Sequence, residues 1–292
     1  MTDKLQRFLF DNYQVRGEIA HSNESFQSLI KNHQYSTEVA NLMGELLIAT
    51  TLLTAMLKFE GKIVVQLQGD GPVSAAVVNS DQNLTLRGLA RVKGETAGLS
   101  FKELLGKAHM MITITPDDGE RYQGIVALES ESLSTCLEDY FKQSEQLATR
   151  VILHADASNK ETAKAGGLFI QSMPASGGQT NEQNSDDFSH VTALAMTVKA
   201  EELYTLSHDE VLYRLYHQEK VRLFEDQPIT YQCGCSKERC FSSLASIPRH
   251  EVEALLKEKE TISMHCEYCA TDYHFKEADL QLILQETNSP QH

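Results

Sequence analysis

The stretch from Cys233 to Cys269 reads CGCSKERCFSSLASIPRHEVEALLKEKETISMHCEYC, and it decides how the end of this 292-residue chain can fold. It begins with Cys-x-Cys and ends with Cys-x-x-Cys, with 30 residues between the two pairs. Two close pairs of thiolates at this separation can each supply one edge of a tetrahedral zinc site. We therefore predict that Cys233, Cys235, Cys266 and Cys269 bind one Zn²⁺. The less favoured alternative is that these cysteines are small buried apolar side chains.

Other cysteines and histidines have weaker claims to a metal role. Cys240 is a fifth sulfur in a segment of helical pattern, and it could replace Cys235 as a ligand or pack inside the module. Cys136 lies on the apolar side of a predicted helix and is expected to be structural. His265 precedes the second pair and could be a ligand, but four thiolates would already fill the site. No motif supplies His250 or His274 with a partner for metal binding, so both are expected to be solvated.

Residues 231–292 are predicted to form a zinc-binding redox-switch domain. So short a segment builds only a marginal apolar core. Structural zinc contributes about 10–16 kcal/mol of apparent binding free energy in small peptides, and that energy is folding energy. Zinc-bound sulfur is deprotonated, which is the form that oxidants attack, and a disulfide no longer holds the metal. We therefore expect full oxidation to be coupled to unfolding of this domain, because cysteines two residues apart in an extended strand are near the upper Cα separation for a disulfide.

Residues 1–178 are predicted to form an α+β core domain. Between Glu38 and Lys58 the apolar residues recur at three- and four-residue steps, which indicates a helix with one apolar face. A hairpin is expected around Pro116-Asp117-Asp118-Gly119, because proline presets the turn and glycine supplies a positive φ. The predicted strands cover 62–68, 73–79, 84–92, 110–115, 121–128, 151–154 and 168–173, and a second helix covers 132–147.

Residues 179–230 are predicted to be a polar and helical linker that is only marginally stable. The run ASGGQTNEQNSDD at 175–187 has no apolar side chain larger than alanine, which is typical of a flexible segment. Helical patterns follow, and Ser207 with Glu210 forms a capping-box signature. Ten acidic residues against four basic residues give 179–230 a net charge of −6. Short helices are marginal in water unless they pack on an apolar surface.

The net charge of the whole chain limits the kinds of partner that it can bind. A formal net charge of −15 repels phosphate backbones and anionic lipid surfaces, so we expect neither nucleic acid nor a membrane as a partner. The best apolar run, Leu46–Leu57, is too short for a membrane span. The first residues lack the pattern of a signal peptide, so we expect a cytoplasmic protein whose cysteines are reduced.

Across nearly its whole length, the chain resembles the heat-shock protein 33 family of redox-regulated holdase chaperones. The resemblance depends on Cys233-Gly234-Cys235-Ser236 and Cys266-Glu267-Tyr268-Cys269, and on four core segments: VQLQGDGP from Val65, ITITPDDGERYQG from Ile112, LEDYFKQSEQL from Leu137 and GGLFIQSMP from Gly166. It implies a compact N-terminal domain, a helical linker that lies on it and a C-terminal zinc domain.

The resemblance also implies a function. The reduced, zinc-loaded protein would be inactive. Oxidation together with unfolding stress would join Cys233 to Cys235 and Cys266 to Cys269, release zinc and loosen the linker. The exposed surface would then hold unfolding client proteins, and the active form would be a homodimer. No ATP is implied, and the sequence has no GxxxxGK[ST] phosphate loop.

Three other functions are less favoured. A zinc-ribbon nucleic-acid binder usually carries a basic face, whereas residues 232–292 have a net charge of −4. A thiol–disulfide oxidoreductase would place its Cys-x-x-Cys at the start of a helix, but a strand-like stretch, Asp272–Phe275, follows this pair. A hydrolase is not supported, because neither GxSxG nor HExxH occurs. We therefore expect a protein that is not an enzyme.

Overall fold

The computed structural model describes residues 2–57, 60–174 and 181–285. The chain divides into two compact units, Met1–Gln232 and Cys233–His292, which we call the core unit and the cysteine unit. Both contain helices and sheet, so the predicted α+β class is confirmed.

The core unit contains two sheets. Its strands are β1 (Lys4–Phe10), β2 (Val15–Ser22), β3 (Gly61–Gly69), β4 (Val73–Asp81), β5 (Thr85–Val92), β6 (Ala108–Pro116), β7 (Tyr122–Ala127), β8 (Thr149–Asp156), β9 (Lys164–Ser172), β10 (Val221–Pro228) and β11 (Thr230–Tyr231). Sheet A is antiparallel with the order β10-β1-β2-β9-β8. Sheet B has the order β11-β5-β4-β3-β6-β7, and only the short β11 runs parallel to its neighbour. All seven strands predicted from the sequence are present.

The helices of the core unit are α1 (Glu24–Ile30), α2 (Thr37–Ala55), α3 (Phe101–Leu105), α4 (Leu133–Tyr140), α5 (Asn181–Ala195), α6 (Ala200–Thr205) and α7 (His208–Tyr216). A π-helical turn, Phe141–Glu145, continues α4, and Lys160–Thr162 forms a 3₁₀ turn. The helix predicted over 132–147 is therefore present with a change of pitch at its end.

Helix α2 lies at the centre of the core unit. It contacts β2, β8 and β9 of sheet A and also β3, β4 and β5 of sheet B. The expectation of a single apolar face was wrong, because two sheets enclose the helix and bury it on most sides. Gly44 permits this close approach: a Cβ there would come within 2.6 Å of the Phe26 ring and 2.7 Å of Ala155. Lys58, the predicted end of the helix, lies outside the described residues.

By length and composition alone, Thr37–Ala55 is apolar enough to cross a membrane, contrary to the expectation from the shorter run Leu46–Leu57. The run Leu46–Leu57 covers only part of α2, which begins at Thr37, and the mean hydropathy over the longer helix is high enough despite its threonines. Three of them donate their hydroxyls to carbonyls one turn earlier, as Thr50 does to Leu46 at 2.7 Å. In the structure 78% of the candidate window is buried inside the protein, as in the core helix of a folded domain.

Sheet A is covered on both faces. Successive residues of β9 point to opposite sides, so Phe169 packs with the α2 cluster while Leu168 and Ile170 pack with helices α5, α6 and α7. The cluster on the helical side includes Phe8, Phe10, Val15, Ile19, Val191, Leu203, Val211, Leu212, Leu215 and Tyr216. The short acidic helices therefore have the apolar support that their stability requires.

A buried pair of histidines adds a polar contact between α7 and sheet A. His21 Nδ1 lies 2.8 Å from His208 Nε2, and His21 Nε2 lies 2.9 Å from the carbonyl oxygen of Thr2. Because that carbonyl can only accept, His21 donates to it from Nε2 and accepts from His208 at Nδ1. Burial, with the charges of His21 and Lys4, lowers the pKa of His208 to about 2. Burial also lowers the pKa of His21, against the opposing effects of Thr2 and Asp3.

The polar run at 175–187 was predicted to be an unpacked linker, and this was wrong for 181–187, which form the start of α5. Asn184 is buried and donates from Nδ2 to Ser172 Oγ at 3.0 Å and to the Met173 carbonyl at 2.9 Å. A polar side chain thus packs by donating hydrogen bonds to acceptors at the end of β9. Composition alone does not reveal this contact. Residues 175–180 lie outside the described residues.

Four strands were not predicted, and one of them is the two-residue β11. Strands β1 and β2 precede the first predicted element, and β10 lies inside the predicted linker, where it pairs antiparallel with β1. Most of β10 is exposed, so its sequence, VRLFEDQP, lacks the apolar alternation of a half-buried strand.

The cysteine unit is a small module. It contains α8 (Lys237–Ala245), α9 (Arg249–Lys259), β12 (Thr261–His265), β13 (Asp272–Lys276), a 3₁₀ turn (Glu277–Leu280) and α10 (Gln281–Gln285). Strands β12 and β13 form an antiparallel hairpin. The buried apolar side chains described there are Leu244, Val252, Ile262, Phe275, Leu280 and Ile283.

Candidate metal centre

The two cysteine pairs lie on short, well-defined turns. Cys233 and Cys235 precede α8, whose first residues are capped by Ser236, with its Oγ accepting from the Arg239 amide at 3.2 Å. The second pair occupies the turn between β12 and β13. There the Cys266 amide donates to the Thr271 carbonyl at 2.9 Å, and the Ala270 amide donates to the Cys266 carbonyl at 2.8 Å. These bonds fold the turn back on itself.

The turn also contains a residue in the left-handed region. Ala270 has a φ of 54°, a conformation that costs an L-residue energy and that glycine adopts more readily. The two backbone hydrogen bonds across the turn hold Ala270 in this conformation. Both sulfurs of the second pair, which lie on this turn, are within 4.8 Å of the sulfurs of the first pair.

The four predicted ligands lie together. The sulfur atoms of Cys233, Cys235, Cys266 and Cys269 are all within 4.8 Å of one another. Cys233 Sγ lies 3.6 Å from Cys266 Sγ, and Cys235 Sγ lies 3.3 Å from Cys269 Sγ. A tetrahedron with Zn–S bonds of about 2.3 Å has edges of about 3.8 Å. The sulfur group therefore has the donor atoms and the size that one Zn²⁺ requires.

The sulfurs differ in their electrostatic surroundings. Burial raises the pKa of Cys233 and of Cys235; the Tyr273 hydroxyl, which lies 3.1 Å from Cys235 Sγ, opposes the rise at Cys235. Burial also disfavours the Cys269 thiolate. Hydrogen bonds from the side chain and backbone of Thr271, together with those of Cys235 and Cys233, outweigh this effect and lower the pKa of Cys269 to about 7. A bound dication would favour the thiolate at all four positions.

Other candidates lie outside this group of four. Cys240 packs against the apolar cluster of the cysteine unit, which is the second of its two expected roles. Cys136 is 1% exposed in the core unit, where burial raises its pKa. His265 is exposed and its Nδ1 lies 2.8 Å from Asp272 Oδ1. His250 and His274 are both exposed, and His274 Nδ1 lies 2.9 Å from Ser263 Oγ.

Two neighbours of the sulfurs were missed by the sequence analysis. Tyr273 lies on β13 opposite Met264, and Thr271 lies in the turn just before β13. Thr271 Oγ1 is 3.2 Å from Cys269 Sγ. No motif marks either residue, because each reaches a sulfur through the register of the hairpin. The position of Thr271, two residues beyond a ligand in a tight turn, was the one available signal.

Comparison with known proteins agrees with the resemblance drawn from the motifs. Residues 3–276 match the model of a family described as Hsp33 protein. The chain is 47% identical over 287 residues to the 33 kDa chaperonin of Pectobacterium atrosepticum, covering 98% of this chain and 97% of the relative. It is 49% identical over 282 residues to that of Serratia proteamaculans, covering 96% and 94%. The crystal structure of the Thermotoga maritima 33 kDa chaperonin, at 20% identity, has the same fold with a TM-score of 0.82 over 97% of this chain and 98% of that chain.

Proposed function

Because the chain belongs to the Hsp33 protein family, we propose that it is a chaperone, and more specifically a redox-regulated, ATP-independent holdase that binds unfolding proteins under oxidative and heat stress. The observation that carries this proposal is the group of four sulfurs within 4.8 Å of one another in the cysteine unit. We further propose a cytoplasmic protein with no catalytic activity and with neither nucleic acid nor membrane as a partner.

In the reduced state, Cys233, Cys235, Cys266 and Cys269 would hold one Zn²⁺. The ion would keep the four sulfurs deprotonated and link the segment before α8 to the β12–β13 turn. This link matters because six buried apolar side chains form the described core of the cysteine unit. The thiolates therefore supply both the stability of the reduced unit and its sensitivity to oxidants.

On oxidation by a peroxide, each cysteine pair would give two electrons to one peroxide molecule. The two sulfurs form a disulfide, and the peroxide leaves as two hydroxide ions. Disulfide sulfur is a poor ligand, so the oxidised pair no longer holds the ion. We propose the pairings Cys233–Cys235 and Cys266–Cys269. The short sulfur contacts instead join the two pairs to each other, at 3.6 Å and 3.3 Å, so disulfide mapping of the oxidised protein is required.

The proposed client-binding state involves residues 179–230. Helices α5, α6 and α7 cover Phe8, Phe10 and Ile19 of sheet A, and their own apolar side chains face the sheet. Loosening of these helices would expose apolar surface on both sides of the contact. Exposed apolar patches of this kind bind other proteins. We propose that unfolding clients bind there and that the activated form is a homodimer.

The test follows zinc release and suppression of aggregation in the same samples. Reduced, full-length protein is treated with hydrogen peroxide over a range of temperatures. Released zinc is read with a chromophoric chelator, and aggregation of a heat-unfolded test enzyme is read by light scattering. Both signals should rise together, and disulfide mapping should give Cys233–Cys235 and Cys266–Cys269.

The matched variants are Cys269→Ser, which removes a proposed ligand, and Cys240→Ser, which removes a sulfur outside the group of four. Cys269→Ser should lose zinc and suppress aggregation without oxidant, while Cys240→Ser should behave as the parent protein does. Equal suppression by the reduced, zinc-loaded parent protein would refute redox control. Freshly purified, reductant-protected protein without stoichiometric zinc would refute the metal site.

A further inference from the structure

A cavity in the core unit has a buried carboxyl group in its wall. Residues of β1, β2 and β10 line this cavity together with the end of α2. We propose that the cavity binds the carboxylate group of a small apolar molecule, a medium-chain fatty acid. The proposal is independent of the proposed zinc and redox function, because all the lining residues belong to the core unit.

Glu18 of β2 supplies the carboxyl group. Glu18 is 2% exposed, and among the described residues its Oε2 atom has no hydrogen-bond partner. A buried polar atom without a partner costs folding free energy, and such atoms are rare in folded proteins. The last torsion of a glutamate side chain is soft, so either oxygen of the carboxyl group can turn toward the cavity. Glu18 therefore offers a polar contact that a ligand can complete.

Two arginines accompany Glu18 in the cavity wall. Arg7 pairs with Glu18 across β1 and β2, and Arg16 lies two residues before Glu18 on the same face of the sheet. Burial raises the pKa of Glu18 to about 7, while the charges of Arg16 and Arg7 oppose the rise. When Glu18 is protonated, it is a hydrogen-bond donor and the two guanidinium charges remain. The wall then favours an anionic head group over a cationic or a neutral one.

The rest of the wall is mostly apolar. The volume of the cavity is about 290 Å³, and its apolar lining includes Leu9, Ala55, Met56, Leu57 and Phe224. A second cavity of about 200 Å³ shares Arg16, Met56 and Leu57 with the first. The two adjoining cavities together have the size of a small-molecule site, which is about 300–1,000 Å³. The second cavity is also lined by Leu53, Ile63, Ile112, Ile114, Phe141 and Leu147.

The two cavities fit the two ends of one fatty acid. In the first cavity, the ligand carboxylate accepts hydrogen bonds from protonated Glu18 and from Arg16, and bonds to charged groups are the stronger kind. One N–H of Arg16 is already used, because Nη2 donates to Gln171 Oε1 at 2.7 Å, but the guanidinium has four more. The alkyl chain extends past Met56, a flexible side chain that can move aside, into the second cavity.

The experiment titrates octanoate into reduced, zinc-loaded, full-length protein at pH 6.5 and measures binding by isothermal titration calorimetry. At this pH octanoate is ionised and Glu18 is mostly protonated. Octanoate should bind at one site per chain. Octanol has the same chain with a neutral head group, and butyrate has the same head group with a short chain. Each should bind at least about tenfold more weakly than octanoate.

Variants of the cavity wall locate the site. Arg16→Gln removes one guanidinium and should weaken octanoate binding about tenfold. Glu18→Gln keeps the shape and an N–H donor and should retain binding, whereas Glu18→Leu has no donor and should also weaken binding about tenfold. Arg222→Gln is the matched control, because Arg222 lies on β10 of the same sheet and lines neither cavity. It should bind octanoate as the parent protein does.

Equal affinity for octanoate and octanol would overturn the proposal, and so would the absence of octanoate binding by the folded parent protein. Unchanged affinity in both Arg16→Gln and Glu18→Leu would overturn it as well. Thermal unfolding of each variant is measured first. Where Glu18→Leu does not fold, the affinity of Arg16→Gln and the comparison of octanoate with octanol decide.

Discussion

In the core unit, α2 is enclosed by two sheets, whereas the cysteine unit has one two-stranded sheet and short helices around six buried apolar side chains in its described residues. Met43 and Leu46 of α2 are completely buried. In the cysteine unit the close contacts between the two cysteine pairs are sulfur–sulfur contacts. Burial stabilises the first unit, and the proposed metal cross-link stabilises the second. Removing a ligand and removing a core side chain should therefore have separable effects.

The largest effect is expected for Cys269→Ser. Losing one of four thiolates removes most of the binding free energy, which is about 10–16 kcal/mol in zinc-folded peptides, so the cysteine unit should be unfolded in this variant. Hydrogen exchange read by mass spectrometry should show lost protection in β12 and β13 and retained protection in β3 and β6. Retained protection of the β12–β13 hairpin would mean that apolar packing alone stabilises the cysteine unit.

Leu46→Ala should have the next largest effect. It should destabilise the core unit and leave the cysteine unit intact, the reverse of Cys269→Ser. Truncating a fully buried leucine leaves a cavity between the sheets and costs about 2–5 kcal/mol of unfolding free energy. Denaturant unfolding followed by circular dichroism measures this loss, and zinc content should be unchanged. Leu223→Ala, at a leucine of the core unit that is 38% exposed, is the control and should cost far less. Zinc loss in Leu46→Ala would contradict the separation of the two units' stabilities.

Acid should weaken the contact of α7 with sheet A. Burial lowers the pKa of both His21 and His208, so the stabilising contact is fully present above about pH 6.5 and is lost as the pH falls and the undocked imidazoles bind protons. Each proton bound on undocking should increase the undocked fraction about tenfold per pH unit. Hydrogen exchange of the α7 amides, corrected for the intrinsic exchange rate at each pH, measures the undocked fraction. His208→Gln should reduce the slope by one proton, and an unchanged slope would exclude the pair as its origin.

The smallest effect is expected at the capping box of α7. Ser207 Oγ accepts from the Glu210 amide, and the Glu210 carboxylate accepts from the Ser207 amide. Ser207→Ala should cost about 1 kcal/mol and increase exchange in α7 first, while Ser207→Thr keeps the hydroxyl and should cost less. If exchange increased equally in α2, the helices on sheet A would not be a separate weak layer.

The local parts of this fold could be predicted from the sequence. The Cys-x-Cys and Cys-x-x-Cys pairs predict the group of four sulfurs because their spacing is itself the constraint. The β3–β4 and β6–β7 hairpins follow from β-branched runs bounded by turns. The capping box at Ser207 marks the start of α7. In each case the residues that determine the element lie next to one another in the chain.

The remaining parts depend on contacts between distant residues. Strand β10 exists because β1 offers an open edge more than 200 residues earlier, as shown by the pairing of Phe10 with Val221. Asn184 packs because the end of β9 supplies acceptors. The Tyr273 hydroxyl reaches Cys235 only through the register of the β12–β13 hairpin. A local pattern contains none of these relations, so it predicts neither the packed start of α5 nor strand β10.

The pairing of β10 with β1 limits how far the helices on sheet A can move. Residues 173–220, which contain α5, α6 and α7, run between two strands of the same sheet, β9 and β10. As long as both strands remain paired, these helices can leave the sheet only as a closed loop anchored at its two ends. A closed loop of this length keeps its local concentration near the sheet high. Redocking of these helices on sheet A is therefore an intramolecular step whose rate does not depend on the concentration of the protein.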